Sequence, residues 1–575
     1  MYNDLKILDL KGTFMPNVSD LFPRLAGTDS DPRVRRYLTP SRVLTTGGNV
    51  TNAQALLSPK PSQITLVKGE VCALENTPGS ERAFVLLDFG IELNGAARIY
   101  VQGLRSANKR VDLRVRFGES AMEAMTPLGE KNTTNDHANR DMVLNVGFLS
   151  ANETNETGFR FVCIELLDED AKIELKAVQG VFIFRDLDYL GSFECDDPVV
   201  NQIWKTAAYT AHLNMQEYLW DGIKRDRLVW IGDMHTEVMT ILSVFGANPV
   251  IPKSLDLVRD ETPVGSWMNG ISSYSIWWIL LHDEWFSYTG DKNYLAMQQY
   301  YLVPLLKKLA EYIAENGSET LPNARFIDWP NQAKPGATHA GLQAMMLLAF
   351  EKGGALCGLL GDQETTELCE TCAAKLKKHI PDSCGSKQAG SLLVCAGLAD
   401  AKETAQNLLT VGGAKGLSTF LGYWTLAAMS AAGDTDDALN LMREYWGGML
   451  KMGATTFWED FNIDWMKNSA GIDELVPAGK NDIHGDFGAY CYKNFRHSLC
   501  HGWASGPAPW LTHHVLGVQI LEPGCKKLKI EPHLGHLKFA RGAFPTPYGV
   551  VNIEVKYENG KLVTDVKAPE GVEIF

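Results

Sequence analysis

The hydrophobic period of this chain changes twice, and no other feature limits its possible folds as tightly. From about Ile64 to Phe193 apolar and polar residues alternate, as in VDLRVRF (Val111–Phe117), RIYVQG (Arg98–Gly103) and FRFVCIEL (Phe159–Leu166), with Gly-, Asn- and Thr-rich turns between them. Period two marks strands, and so many short ones close naturally as a β-sandwich. The stretch up to about Asn52 has no clear period and reads as irregular. After ECDDPVVNQIW the spacing becomes helical, from about Pro198 to Gly517, as in Asn293–Gly317. Gly–Asp pairs at Gly290–Asp291, Gly361–Asp362 and Gly433–Asp434 recur 71 and 72 residues apart. Glycine suits the left-handed residue that ends a helix, and aspartate caps the next one. With about eleven or twelve candidate helices, this repeat predicts six helical hairpins closed into an (α/α)6 toroid around a central funnel. The last 55 residues or so return to β, with two alternating strands in Val551–Lys567 joined at Asn559–Gly560. The expectation is a multidomain chain. An N-terminal irregular segment plus β-sandwich takes 1–195, an (α/α)6 barrel 196–517, and a small C-terminal β-sandwich domain 518–575.

Charge and composition remove several classes of function. Fifty-four Lys and Arg stand against 69 Asp and Glu, a formal charge of −15, with no basic block. Phosphate binding depends on clustered bases, so no nucleic acid and no anionic membrane is expected as a partner. No apolar run reaches the roughly 20 residues of a membrane span. The N-terminus MYNDLKILDLKGTF lacks the basic-then-apolar layout of a signal peptide. A soluble protein is expected, cytoplasmic, or exported if a leader has been removed. The 11 cysteines have no zinc-finger spacing, and Cys369 with Cys372 reads as one buried helix face rather than a redox pair. The sequons in NETNET (Asn152–Thr157) read as turn chemistry.

DGIKRDRLVWIGD (Asp221–Asp233) places three acids, three bases and a tryptophan in thirteen residues that fit neither a helix nor a strand. Each group has an ordinary reading. Asp233 can cap the following helix, and Asp221 with Arg225, or Asp226 with Arg227, can form rim ion pairs. Together they are the mixture of a sugar site, in which carboxylates and arginine grip hydroxyls and a ring covers an apolar sugar face. A glycosidase needs a second carboxylate across the scissile bond. Glu459, after Trp458 in MGATTFWEDF, is the candidate; capping or ion pairing is its ordinary role. FIDWPN adds Asp328 and Trp329, and HSLCHGWASGPAPW adds His501 and Trp503, although most of the 14 tryptophans must be core.

DGIKRDRLVWIGD, GATTFWED, SLCHGWASG and LKIEPHLGHLKFARGAFPTPYG (Leu528–Gly549), in this order, resemble the α-L-rhamnosidases of glycoside hydrolase family 78. The resemblance implies an (α/α)6 barrel and hydrolysis of terminal α-L-rhamnosyl bonds with inversion, without a metal or other cofactor. It places Asp226 at the general-acid position and Glu459 at the general-base position. Asp221, Arg225, Trp230 and Asp233 match sugar-binding residues, as do Trp329 and His501 in loops of different length. The family pattern usually has Glu where this chain has Asp226, a side chain shorter by one methylene. Two rivals stay open: another (α/α)6 carbohydrate enzyme with a different sugar, and a non-catalytic carbohydrate-binding relative. Asp226 can donate a proton only if it holds one, so Asp221 and Asp233 are expected to draw Arg225 and Arg227 away from it.

Overall fold

The computed structural model describes residues 30–322 and 324–575. Ten antiparallel strands between Val34 and Phe184 form the N-terminal β-domain. Its longest strand, Phe84–Arg105, pairs through its first half with Arg42–Gly47 and Thr157–Leu166, and through its second half with Ala171–Phe184 and Ser150–Glu153. The register breaks between Asp88 and Leu93, where Gly90 takes a φ of 81°, a conformation that costs glycine little. Alternation then sorts the side chains. Val85, Leu87, Val162 and Ile164 enter the main core, while Leu86, Phe161 and Cys163 face the short helix Ala121–Met125 on the other side. The part of the N-terminal stretch expected to be irregular that lies within the described residues is instead three strands, Val34–Leu38, Arg42–Gly47 and Asn49–Thr51. None of their residues is buried, so they carry no apolar period to read. Residues 1–29 of that stretch lie outside the described residues. Asn152 sits in the strand Ser150–Glu153 rather than in a turn.

The helical stretch alternates buried and half-exposed helices. Met234–Val244 is buried at every position, whereas Val250–Glu261 buries only one face. The inner members are Met234–Val244, Ser272–Thr289, Pro335–Leu360, Lys387–Cys395, Gly422–Ala431 and the Pro507–Trp510 turn with its continuation. Each packs on the next, and Pro507–Trp510 packs back on Met234–Val244, so the inner layer closes on itself. Lys292–Ala310, Gln363–Leu376 and Thr435–Lys451 lie outside it: the first against Ser272–Thr289 and Pro335–Leu360, the second against Pro335–Leu360 and Lys292–Ala310, the third against Gly422–Ala431 and Pro198–Asn214. Gly290 (φ 65°) and Gly361 (φ 81°) end their helices, and Asp291 and Asp362 accept hydrogen bonds from the backbone N–H groups that follow. Asp434 holds the equivalent position without such a bond. Cys369 and Cys372 are free thiols inside Gln363–Leu376, and burial pushes the Cys369 thiol up to about 12.

The C-terminal strands Phe539–Thr546, Gly549–Glu558 and Lys561–Lys567 form one sheet with Ser192–Cys195, the strand just before the first long helix. Asn559 (φ 50°) and Gly560 (φ 76°) make the two-residue turn expected there. No described helix is long and apolar enough to cross a membrane.

Candidate active site

The segment Asp221–Asp233 has no regular structure, and its shape is set by its own polar groups. The Asp221 N–H donates to the Leu228 carbonyl (3.1 Å) and Asp221 Oδ1 accepts the Leu228 N–H (3.0 Å), which closes the loop on itself. At the tip Asp226 (φ 58°) and Arg227 (φ 56°) are both left-handed, an uncommon and costly state for non-glycine residues. Arg227 turns outward over the Trp220 ring and donates to the Glu156 carbonyl. Gly232 gives the Tyr274 ring room, since a Cβ there would stand 2.3 Å from it. The Tyr274 hydroxyl then donates to Asp233 Oδ1 (2.9 Å). Asp233 therefore makes no side-chain helix cap, contrary to its ordinary reading; its other oxygen lies 3.0 Å from His501 Nε2.

Glu459 comes from a distant part of the sequence, after the helix Thr435–Lys451. Its N–H donates to the Ser498 carbonyl (3.0 Å), its carbonyl accepts the Trp503 indole N–H (2.9 Å), and its Oε2 accepts the Ser498 N–H (3.2 Å). His501 follows on the same segment, with Nδ1 3.7 Å from Glu459 Oε1. Trp329 opens a short turn whose preceding Asp328 carboxylate accepts the Trp329 N–H and the Ser418 hydroxyl. Its ring stacks on Tyr490.

Asp221, Arg225, Asp226, Trp230, Asp233, Trp329, Glu459 and His501 all line one cavity of about 280 Å3. Sequence reasoning missed Tyr274, Tyr492 and Arg325 in the same wall. Tyr274 carries no local signal, because it sits inside the apolar run of Ser272–Thr289. Tyr492 lies in a two-residue strand beyond reach of any period, and its ring lies under the Arg225 guanidinium.

The arginines do not go where the sequence suggested. Arg225 bridges the two candidate catalytic groups, with Nη1 2.7 Å from Asp226 Oδ1 and Nη2 2.5 Å from Glu459 Oε1. Asp221 and Asp233 take none of it, since the backbone, Tyr274 and His501 already occupy them. The rim pairs Asp221–Arg225 and Asp226–Arg227 do not form, and His137 of the β-domain adds a contact of 3.0 Å to Asp226 Oδ1. Burial pushes Glu459 up, but Arg225, His501 and His497 outweigh it and hold the carboxyl below its usual range. Burial pushes His501 down, but Glu459, Asp233 and Asp221 outweigh it and lift the imidazole to about 9. Burial raises Asp221 well above the carboxylate range and also raises Asp233, against the pull of His501.

The helical ring between the β-domains thus encloses an acidic and aromatic cavity. Residues 188–406 match the family model of the bacterial alpha-L-rhamnosidase six-hairpin glycosidase domain, and residues 517–574 that of the bacterial alpha-L-rhamnosidase C-terminal domain. The chain thus resembles the α-L-rhamnosidases of glycoside hydrolase family 78 in both domains. The first match contains Asp221–Asp233 and Trp329; Glu459 and His501 lie beyond it and join the site by geometry. The GH78 family rhamnosidase of Bacillus sp. GL1 superposes with a TM-score of 0.71 at 20% identity, covering 91% of this chain and 55% of that one. The Streptomyces avermitilis α-L-rhamnosidase complexed with L-rhamnose gives 0.67 at 18%, covering 88% and 50%. The rhamnosidase from Klebsiella oxytoca with rhamnose bound gives 0.65 at 17%, covering 83% and 95%. The chain thus spans about half of the length of the first two. No curated protein sequence matches it significantly.

Proposed function

We propose that the chain is an inverting exo-α-L-rhamnosidase whose helices form an (α/α)6 barrel over about 196–517, after an N-terminal segment plus β-domain (1–195) and before a C-terminal β-domain (518–575). One observation carries the reading. Asp226 and Glu459, from distant parts of the sequence, meet across a single guanidinium in a small aromatic cavity. At about 280 Å3 the cavity is at the small end of ligand sites, which run roughly 300–1,000 Å3, and this suits one terminal sugar rather than a chain.

In this mechanism L-rhamnose lies against Trp230 and Trp329, its hydroxyls held by Asp221, Arg225, Asp233 and His501. Glu459, kept ionised by Arg225, takes a proton from water as that water attacks the anomeric carbon. Asp226 protonates the leaving oxygen, and the configuration inverts. Asp226 Oδ1 is taken by Arg225 and His137, so Oδ2 would carry the proton.

The contact of Asp226 with Arg225 favours a second reading, in which Asp226 only holds that guanidinium and Asp233, raised by burial, is the acid. A panel of aryl glycosides tests the activity. Release from the α-L-rhamnoside alone is expected, with the β-anomer of the free sugar appearing first by proton NMR. Release from another glycoside instead, or none at all, would favour the rival carbohydrate enzyme or the binding relative.

A further inference from the structure

We propose that Lys224 is a positioning residue, gripped by two carboxylates of the N-terminal β-domain, and that this buried clamp sets Arg225 between Asp226 and Glu459. The inference rests on the activity proposed above. Lys224 belongs to the same KRD tripeptide as Arg225 and Asp226 but points the other way, out of the cavity and into the interface with the β-domain. Its Nζ lies 3.0 Å from Glu119 Oε2 and 3.2 Å from Glu123 Oε1, and donates to the carbonyls of Phe495 (3.0 Å) and His497 (2.5 Å). All three charged side chains are buried.

The two glutamates are fixed from their own side. Strand Arg110–Gly118 runs straight into helix Ala121–Met125, and a Cβ at Gly118 would stand 2.4 Å from the Ala124 nitrogen. Ser120 caps that helix, and Glu123 Oε2 accepts the Glu119 N–H (2.8 Å). Glu119 Oε2 also accepts the Leu499 N–H (2.6 Å). Leu499 follows Ser498, whose N–H and carbonyl hold Glu459. One buried ammonium therefore joins three stretches: the end of a β-domain strand, the residue before Arg225, and the segment that carries the backbone partner of Glu459.

Glu119, Glu123 and His484 stand within 4.8 Å of one another, a spacing suited to a metal ion, but the cation among these carboxylates is Lys224. Stability alone is a weak reason to keep such a cluster, because well-packed apolar residues often replace buried ion networks without loss. Register is the better reason. A slip of Arg225 by about 1 Å would loosen its hold on Glu459, and misplacement on that scale costs about 100-fold in rate.

Glu119→Gln keeps an oxygen for the Leu499 N–H and removes the charge; Lys224→Met removes all four contacts. With an aryl α-L-rhamnoside, each variant is expected to lose about 100-fold in kcat with a much smaller change in KM. The low-pH side of the rate profile should move to higher pH as Arg225 relaxes its hold on Glu459, which a general loss of stability would not do. A folded Glu119→Gln protein with parental kcat and an unmoved profile overturns the inference, whether or not Lys224→Met folds. If the parent cleaves no rhamnoside, the activity reading fails on its own. The clamp is then judged from crystal structures of parent and Glu119→Gln, and an unchanged Arg225–Glu459 contact would overturn it.

Discussion

Arg225→Met isolates the bridge between the candidate catalytic carboxyls, because methionine keeps much of the apolar stem and loses the guanidinium. Arg225 and Glu459 are nearly inaccessible to solvent, with side-chain exposures of 6% and 2%. Removing one partner of such a pair leaves a buried charge uncompensated, which costs about 3–5 kcal/mol. For a cooperative unit of ~300 residues this corresponds to roughly 4–8 °C in the unfolding midpoint. The pH dependence has a definite sign. Arg225 holds Glu459 below its usual range, so the stability from the pair is present above that range and is lost as pH falls through the lowered value. Melting curves of parent and variant should therefore lie furthest apart near neutrality and approach each other in acid. In kinetics, a base that must be ionised gains a proton more readily once Arg225 is gone, so the low-pH side of kcat/KM should move up in pH. His501, 3.7 Å from Glu459, remains and keeps that movement partial. The measurements are calorimetry across pH and rate profiles on an aryl rhamnoside. Melting curves separated equally at every pH, with an unmoved rate profile, would refute the claim that Arg225 keeps Glu459 ionised.

Glu459→Gln should abolish hydrolysis of every substrate, while Asp226→Asn should keep much of its rate on strongly acidic leaving groups, which need little proton assistance. If Asp226→Asn matches the parent on an unactivated rhamnoside and Asp233→Asn does not, Asp233 is the acid. His501 is lifted to about 9, so its pairing stabilises the fold fully below the ordinary histidine range and is lost as pH rises through about 9. His501→Gln should remove that alkaline loss in a thermal melt followed from pH 7 to 10. Tyr274→Phe removes a hydrogen bond to a buried carboxyl and should lower affinity for L-rhamnose in calorimetric titration, with about 1.5–3 kcal/mol at stake.

The features legible in the sequence were those carried by local chemistry. Period two and helical period located the β- and helical stretches, because each residue's burial alternates along its own element. The loop Asp221–Asp233 was legible because so many opposed charges cannot be buried at random. Contacts across the ring were not legible. Arg225 looked free to pair with Asp221, four residues away, yet the loop closes through Asp221 onto the Leu228 N–H and turns the guanidinium toward Glu459. The reading of Asp233 as a cap failed for a similar reason. Tyr274 and His501 come from other elements and outbid the helix end for its oxygens. Tyr274 and Tyr492 had no signal of any kind, since an aromatic residue in an apolar run or a short hairpin has the same sequence neighbours whether it faces a core or a cavity.

Charge balance in the cavity ties these observations together. Asp221, Asp226, Asp233 and Glu459 share it with Arg225 and His501, and Arg325 at its edge is already paired with Glu319. With every acid ionised and His501 protonated, the two cations would leave two negative charges uncompensated in a largely aromatic enclosure, which is unfavourable for buried groups. Burial answers part of this by raising the carboxyl of Asp221 well above the carboxylate range and that of Asp233 to a lesser degree, while Arg225 contacts both Asp226 and Glu459. The structural demand on a donor is to place a proton against the leaving oxygen. Asp226 meets the positional part of that demand through its left-handed loop tip at the cavity wall, whereas burial favours the neutral form of Asp233 but Tyr274 and His501 already occupy its two oxygens.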